Sequence, residues 1–282
     1  MKTVIITPSY APDYDRCRAL VESIKRYVTG YSKHLIVVDR ADQDLFSGLI
    51  GDGCELVIKE DILPHWIKPI PFSKKWWFNG FAFPVRGWIL QQIVKLSTAE
   101  WCHADRYMFI DSDVLFVRNY DVATSQREGK TRLYSGQRKD VDYEEKRHIK
   151  WYQCAAKLFG LSGSDHIHRE YISQLNTWNR STLLAMYRKI EETTGKDWKK
   201  VMCNTLDFSE YILYGVFVES VKGKTESNHY RDEEEICHCS WHHTIDSAES
   251  LESFMSEIKP TQSSILIQSN LNIDTSKYLP ST

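Results

Sequence analysis

The chain has 282 residues, 42% hydrophobic and 26% charged, with a formal net charge of −2. That composition is globular, argues against nucleic-acid binding through bulk positive charge, and contains no apolar run of about 18 residues that would mark a membrane-spanning helix. Its length admits one large domain or two small ones. Seven scattered cysteines, an odd number, point to a reduced, cytoplasmic chain. MKTVIITPSY reads as a first core strand rather than an apolar leader. Nine Trp and fifteen Tyr suit carbohydrate contact and large cores alike.

Residues 3–7 are all β-branched and end at Pro8, which predicts the first strand. A turn over Ser9, Tyr10, Ala11, Pro12 and Asp13 leads into a helix that ends near Tyr27. Cys17, Leu20, Val21 and Ile24 recur at helical spacing, and Gly30 stops it. Residues 34–38 are a second strand ending at Asp39, and residues 55–58 a third. Residues 64–88, PHWIKPIPFSKKWWFNGFAFPVRGW, hold too many prolines for a long helix. Aromatics stand there beside Lys74, Lys75 and Arg86. The segment reads as a long loop over the sheet edge, an acceptor-binding lid, or a contact with a membrane surface. A helix follows from Gly87-Trp88 through Lys95. Ile89, Leu90, Ile93, Val94 and Leu96 are its apolar residues, and Gln91, Gln92 and Lys95 are left for a face that is solvated by default.

Residues 107–110 form an apolar run that ends at Asp111-Ser112-Asp113, and a second apolar run, 114–117, follows at once. A buried strand that delivers two carboxylates at its end is one reading; a plain Asp-Ser-Asp turn is the other. On an extended backbone the two carboxylates share a face. They repel unless a cation neutralises them, which suits Mg²⁺ or Mn²⁺ sharing its coordination with phosphates. The element order to this point is strand, helix, strand, strand, helix, strand. It predicts an α/β fold with a mostly parallel central sheet flanked by helices. Ligands on such sheets bind at the carboxyl ends of strands, where Tyr10, Asp39 and the DSD all lie.

Further on, residues 131–135 read as a strand and 137–150 as an exposed loop or short helix. Ser164 or Asp165 can cap a helix over 167–175, and a second helix over 182–192 stops near Gly195. Asp207 and Glu210 fit capping-box spacing; Glu210 is equally a catalytic or acceptor-binding carboxylate at a helix start. In residues 235–243 a strand puts Cys237, Cys239, Trp241 and His243 on one face and His238, Ser240 and His242 on the other. A structural zinc site there lacks a second C-x-x-C pair. Beyond the short apolar run 265–267 the tail reads as peripheral.

Together VIITPSYAPD, the aspartate after strand two, FIDSDVLF, FSEYILYG and a late histidine resemble GT-A glycosyltransferases. They resemble most the small bacterial GT-A-like proteins with GW-x-x-QQ-x-x-K before the DxD. The resemblance is strongest over residues 3–118 and thin between 129 and 203. It implies a single GT-A-like domain over 1–282, with 1–118 binding the nucleotide sugar and 119–282 holding the acceptor and the tail. It implies a metal-dependent transfer from a nucleotide-diphosphate sugar to a hydroxyl of a carbohydrate or glycolipid acceptor, in surface polysaccharide synthesis. Thr7, Ser9 and Tyr10 match the loop lining the base, and Asp39 the residue recognising base or ribose. Arg86, Gln91 and Lys95 fall among the donor contacts. Asp111, Asp113 and His242, with His238 as substitute, match the Mn²⁺ or Mg²⁺ site, and Glu210 the acidic base. Ser209-Glu210 departs from the usual acidic pair, which leaves inverting and retaining routes both open. The rival readings are a phosphatase of the haloacid dehalogenase type, a nucleotidyltransferase, and a non-catalytic carbohydrate-binding protein.

Overall fold

The computed structural model describes residues 1–267 other than 72, 74, 75, 81, 82, 138–141, 163–168, 241–244 and 246. Strand β1 (Thr3–Pro8) is buried along its whole length, as its β-branched run requires. Helix α1 (Tyr14–Tyr27) turns Cys17, Leu20, Val21 and Ile24 inward. Gly30, at φ +80, reverses the chain into β2 (Lys33–Val38), and β3 (Cys54–Ile58) follows. Helix α2 (Gly87–Leu96) leads to β4 (Arg106–Phe109), and β5 (Val114–Phe116) comes just after the DSD.

The central sheet runs β3-β2-β1-β4 with every junction parallel. Beyond β4, the strand Asn176–Asn179 closes the sheet in antiparallel pairing. This is the expected mostly parallel sheet flanked by helices. The largest core cluster draws residues from Val4 to Val218, with the aromatic Trp178 at a junction of layers. Its indole lies 4.5 Å from the Phe109 ring and stacks on Tyr214 at 4.7 Å. Tyr214 belongs to α5 (Glu210–Val216), so this stack presses α5 against the sheet beside the end of β4.

Several expectations are corrected. The charged stretch expected as an exposed loop or short helix opens a long helix instead, α3 (Asp142–Phe159), whose apolar residues Trp151, Tyr152, Ala155, Leu158 and Phe159 pack into the core. The helix expected over 167–175 is absent from its described part. There Arg169–Glu170 is a short strand pairing with Gly136–Gln137, and a coil leads into the edge strand. Ser164 and Asp165 lie outside the described residues. Helix α4 (Arg180–Thr194) is present, and Gly195 at φ 67 ends it in the left-handed cap that suits glycine. The apolar run excepted from the peripheral tail enters the fold: Ser264–Leu266 is the middle strand of a second sheet, parallel to Cys237–Cys239 and antiparallel to β5.

Candidate active site

Lys95 is where the structure departs furthest from the expected solvated helix face. Lys95 and Gln92 are 3% and 2% exposed, while Gln91 is half-buried. The N-terminal end of α5 covers them. Lys95 Nζ lies 2.8 Å from Asp111 Oδ1, 3.2 Å from Glu210 Oε1 and donates to Tyr211 Oη at 2.8 Å. An ammonium has three protons to donate, and here three oxygens surround it. Burial works against its charge, but Asp111, Tyr211 and Glu210 outweigh burial and hold its pKa well above the ordinary lysine range.

Glu210 is the first residue of α5. The residue capping that helix is Ser209, whose Oγ accepts from the Ile212 N–H, so the Asp207–Glu210 capping box is not formed. The Glu210 carboxylate is thereby left to Lys95. Burial raises its pKa, Lys95 opposes that rise, and Asp111 adds to it. The Glu210 N–H donates to Gln92 Oε1 at 3.0 Å, which fixes the amide's orientation. The Gln92 NH₂ is then buried with no partner among the described residues.

The DSD is a turn: the Val114 N–H donates to the Asp111 carbonyl at 3.1 Å. The backbone is therefore not extended through the motif, and the two carboxylates enter different surroundings. Asp111, its side chain 30% exposed, faces Lys95. Asp113 borders a recess that Arg16 and Ser112 also line. Burial first, and then Asp111, pushes the Asp113 carboxyl up to about 7. Asp13, at the start of α1, lies 3.3 Å from Arg16 and joins the same acidic group; burial raises its pKa, against the opposing pull of Arg16.

Of the residues expected to hold a nucleotide, Thr7, Ser9, Tyr10 and Asp39 lie at or just beyond the carboxyl ends of the paired strands β1 and β2. The Thr7 hydroxyl is buried and pairs at 2.9 Å with His34, whose ring burial keeps neutral, its pKa lowered to about 3. Ser9 is buried, its N–H donating to Val37 O. Tyr10 is exposed close to Asp13 and Arg16. Asp39 is ion-paired with Lys59 at the end of the neighbouring strand. Arg86 lies over the exposed Trp76 ring at 5.4 Å. His238 stacks on Phe254 at 4.3 Å, inside the packing of the second sheet. His242 lies outside the described residues, as do Lys74 and Lys75. Tyr211, Asp13 and Arg16 were not anticipated as site residues. A signal existed for the last two, an acid and a base three apart at the first helix after strand one.

The fold is α/β with charged groups gathered at a strand end, and it is shared with a glycosyltransferase structure. The apo structure of the bifunctional glycosyltransferase WbbM superposes with a TM-score of 0.53 at 11% identity, over 94% of this chain and 45% of its own. This chain thus spans about 45% of that protein's length. An active-site mutant of LgtC gives 0.47 at 12% identity, covering 93% of this chain and 86% of that one. Mouse xyloside xylosyltransferase 1 gives 0.49 at 7% identity, covering 97% and 100%. No curated protein sequence matches significantly. Residues 3–278 match the model described as a family of unknown function, DUF6492, and the chain belongs to that family.

Proposed function

We propose that this chain transfers a sugar from a nucleotide-diphosphate donor to a hydroxyl of a carbohydrate or glycolipid acceptor, with Mn²⁺ or Mg²⁺ as cofactor, on the cytoplasmic side of surface-polysaccharide synthesis. The observation that carries this reading is the Lys95–Asp111–Glu210 cluster beyond the carboxyl end of β4, in a fold shared with a glycosyltransferase.

Charge balance supports a cation. Asp13, Asp111, Asp113 and Glu210 stand against only Arg16 and Lys95 in this cluster, an excess of two negative charges when all are ionised. The raised pKa values of Asp13, Asp113 and Glu210 are the response to burying that excess. Among the described residues no group of three His, Cys, Asp or Glu side chains could hold a metal ion. The residues that would hold the cation are Asp113, the oxygen of Asp111 not engaged by Lys95 and His242, which lies outside the described residues, with diphosphate and water as its other ligands. When bound, such a cation neutralises charge developing on the leaving diphosphate.

The protein's own groups have separable roles in this reading. Lys95 orients Asp111 and Glu210 and adds fixed positive charge beside the departing phosphate. Glu210 takes the proton of the attacking hydroxyl in an inverting route, or orients the acceptor in a retaining one. Lys95 favours the ionised form that a base requires. The unpartnered Gln92 NH₂ is a donor for a bound hydroxyl or phosphate oxygen. Tyr10 and Asp39, with Thr7 and Ser9 behind them, border the base, and Gln91 and Arg86 flank the donor.

The test is a thermal-shift screen of nucleoside diphosphates and nucleotide sugars with and without Mn²⁺, followed by product analysis of any hit. A melting temperature raised only by nucleotide and Mn²⁺ together, and lost in Asp113→Ala, is the expected result. Stabilisation by free sugars alone, with no nucleotide effect, would overturn the enzyme reading in favour of a carbohydrate-binding protein.

A further inference from the structure

Residues 64–88 carry Lys68, Lys74, Lys75 and Arg86 and no Asp or Glu, within a chain whose net charge is −2. Their described part is an antiparallel meander of three short strands, Ile67–Pro69, Trp76–Asn79 and Val85–Arg86. The middle strand alternates. Trp77 and Asn79 point into the core, with Lys59 Nζ 5.2 Å from the Trp77 ring centroid. Trp76 and Phe78 point out, 39% and 53% exposed. Phe83 and Trp88 are 84% and 42% exposed. These four are all of the exposed Trp and Phe side chains among the described residues, and they fall within thirteen positions of sequence. Guanidinium groups sit among them: Arg86 over Trp76 at 5.4 Å, and Arg147 over Trp88 at 4.8 Å. The acids just before the segment, Glu60 and Asp61, are both engaged by Arg40.

We propose that this meander docks on the anionic surface of a lipid bilayer. Tryptophan and phenylalanine insert at the level of the headgroups, while lysine and arginine pair with anionic lipids. A glycan platform explains exposed aromatic rings but not the exclusion of every acid from 25 residues, 64 through 88, in a net-acidic chain. The described residues contain no helix long and apolar enough to cross a membrane, so attachment by this patch is peripheral. The docking can be measured with no donor present.

The experiment is cosedimentation of the full chain with vesicles of phosphatidylcholine containing about one-third phosphatidylserine, and with phosphatidylcholine alone. Adsorption at least about tenfold stronger to the anionic vesicles, and weakened by high salt, is expected. The double variant Trp76→Ser, Phe83→Ser should lose about tenfold in binding, and Lys68→Glu should erase part of the anionic preference. Leu206→Ser, at an exposed apolar residue outside the meander, should bind as the parent does. Circular dichroism establishes that each variant is folded. Absence of adsorption, equal adsorption to both vesicles, or full adsorption by the folded double variant would overturn the proposal. So would tryptophan fluorescence that responds to soluble oligosaccharides in a protein that ignores vesicles, which assigns the patch to the acceptor.

Discussion

Replacing Lys95 by Met removes one charge and leaves two carboxylates facing each other under α5. The ammonium lies 2.8 Å from Asp111, 3.2 Å from Glu210 and 2.8 Å from Tyr211 Oη. Breaking a buried ion pair by deleting one partner costs about 3–5 kcal/mol. Asp111 keeps 30% of its side chain exposed, so water recovers part of the loss and about 3 kcal/mol is expected near neutral pH. The loss should depend on pH, because Glu210 can escape by taking a proton. Its folded pKa, already raised, rises further without the lysine. The folded chain then holds a proton that the unfolded chain has released above about pH 4.3, so stability falls by up to about 1.4 kcal/mol per pH unit from there and levels off once pH passes the folded pKa of Glu210. The deficit against the parent should be about 1 kcal/mol at pH 5 and about 3 kcal/mol at pH 8. Urea unfolding followed by circular dichroism measures both. Glu210→Gln added to Lys95→Met should return at least about 1 kcal/mol at pH 8, a coupling that a double-mutant cycle isolates. A deficit independent of pH, or no rescue by Glu210→Gln, would refute the charge-balance reasoning.

Three other outcomes follow from the geometry. Asp113 is protonated below about 7 in the folded chain, so Mn²⁺-dependent nucleotide binding should weaken as pH falls through that value, and Asp113→Asn should abolish it at every pH; calorimetric titration checks both. Glu210→Gln should keep donor binding, since Ser209 caps the helix, yet lose about 10²–10⁴-fold in transfer rate in a single-turnover assay if Glu210 is the base. Gly215→Ala would put a Cβ against the Tyr171 ring, and should lower stability by about 1–3 kcal/mol in urea unfolding without touching the charged cluster.

The parallel part of the central sheet was legible because its strands are short apolar runs, β1 closing at Pro8, β2 at Asp39 and β4 just before Asp111, whereas the edge strand Asn176–Asn179 was not read. Residues 3–7, 34–38 and 55–58 match the observed strands to within a residue. What hid the rest was packing between distant segments. A helical wheel separates Gln92 and Lys95 from the apolar side of α2, but it cannot show that a segment 116 residues away covers the polar side as well. The helix Asp142–Phe159 opens with charged residues that mask its later apolar spacing. Asp207 offers better capping-box spacing than Ser209 has, yet the cap is chosen by where Trp178 and Tyr214 seat the helix. The run 265–267 is too short to signal a central strand, and its place depends on partners at 114–116 and 237–239.

Asp-Ser-Asp is a turn, and the turn is what separates the environments of its carboxylates, so the turn does not exclude the proposed site. An extended backbone would have presented Asp111 and Asp113 as a symmetric pair. The turn instead gives Asp111 to a lysine and sends Asp113 toward Arg16 and Asp13, where burial and Asp111 raise it to about 7. Carboxylates with divergent surroundings are what acid–base and metal chemistry require. Stability alone does not account for such an arrangement. Apolar side chains of equal volume are often as good as a buried ion pair, or better by about 1–4 kcal/mol. A protein that only bound sugars would gain little from placing Lys95, Asp111 and Glu210 together under a helix that leaves a glutamine NH₂ unpaired. The proposed transfer reaction would use each of them: Lys95 for the phosphate charge, Glu210 for the proton, Asp111 and Asp113 for the cation, and the Gln92 amide for a substrate oxygen.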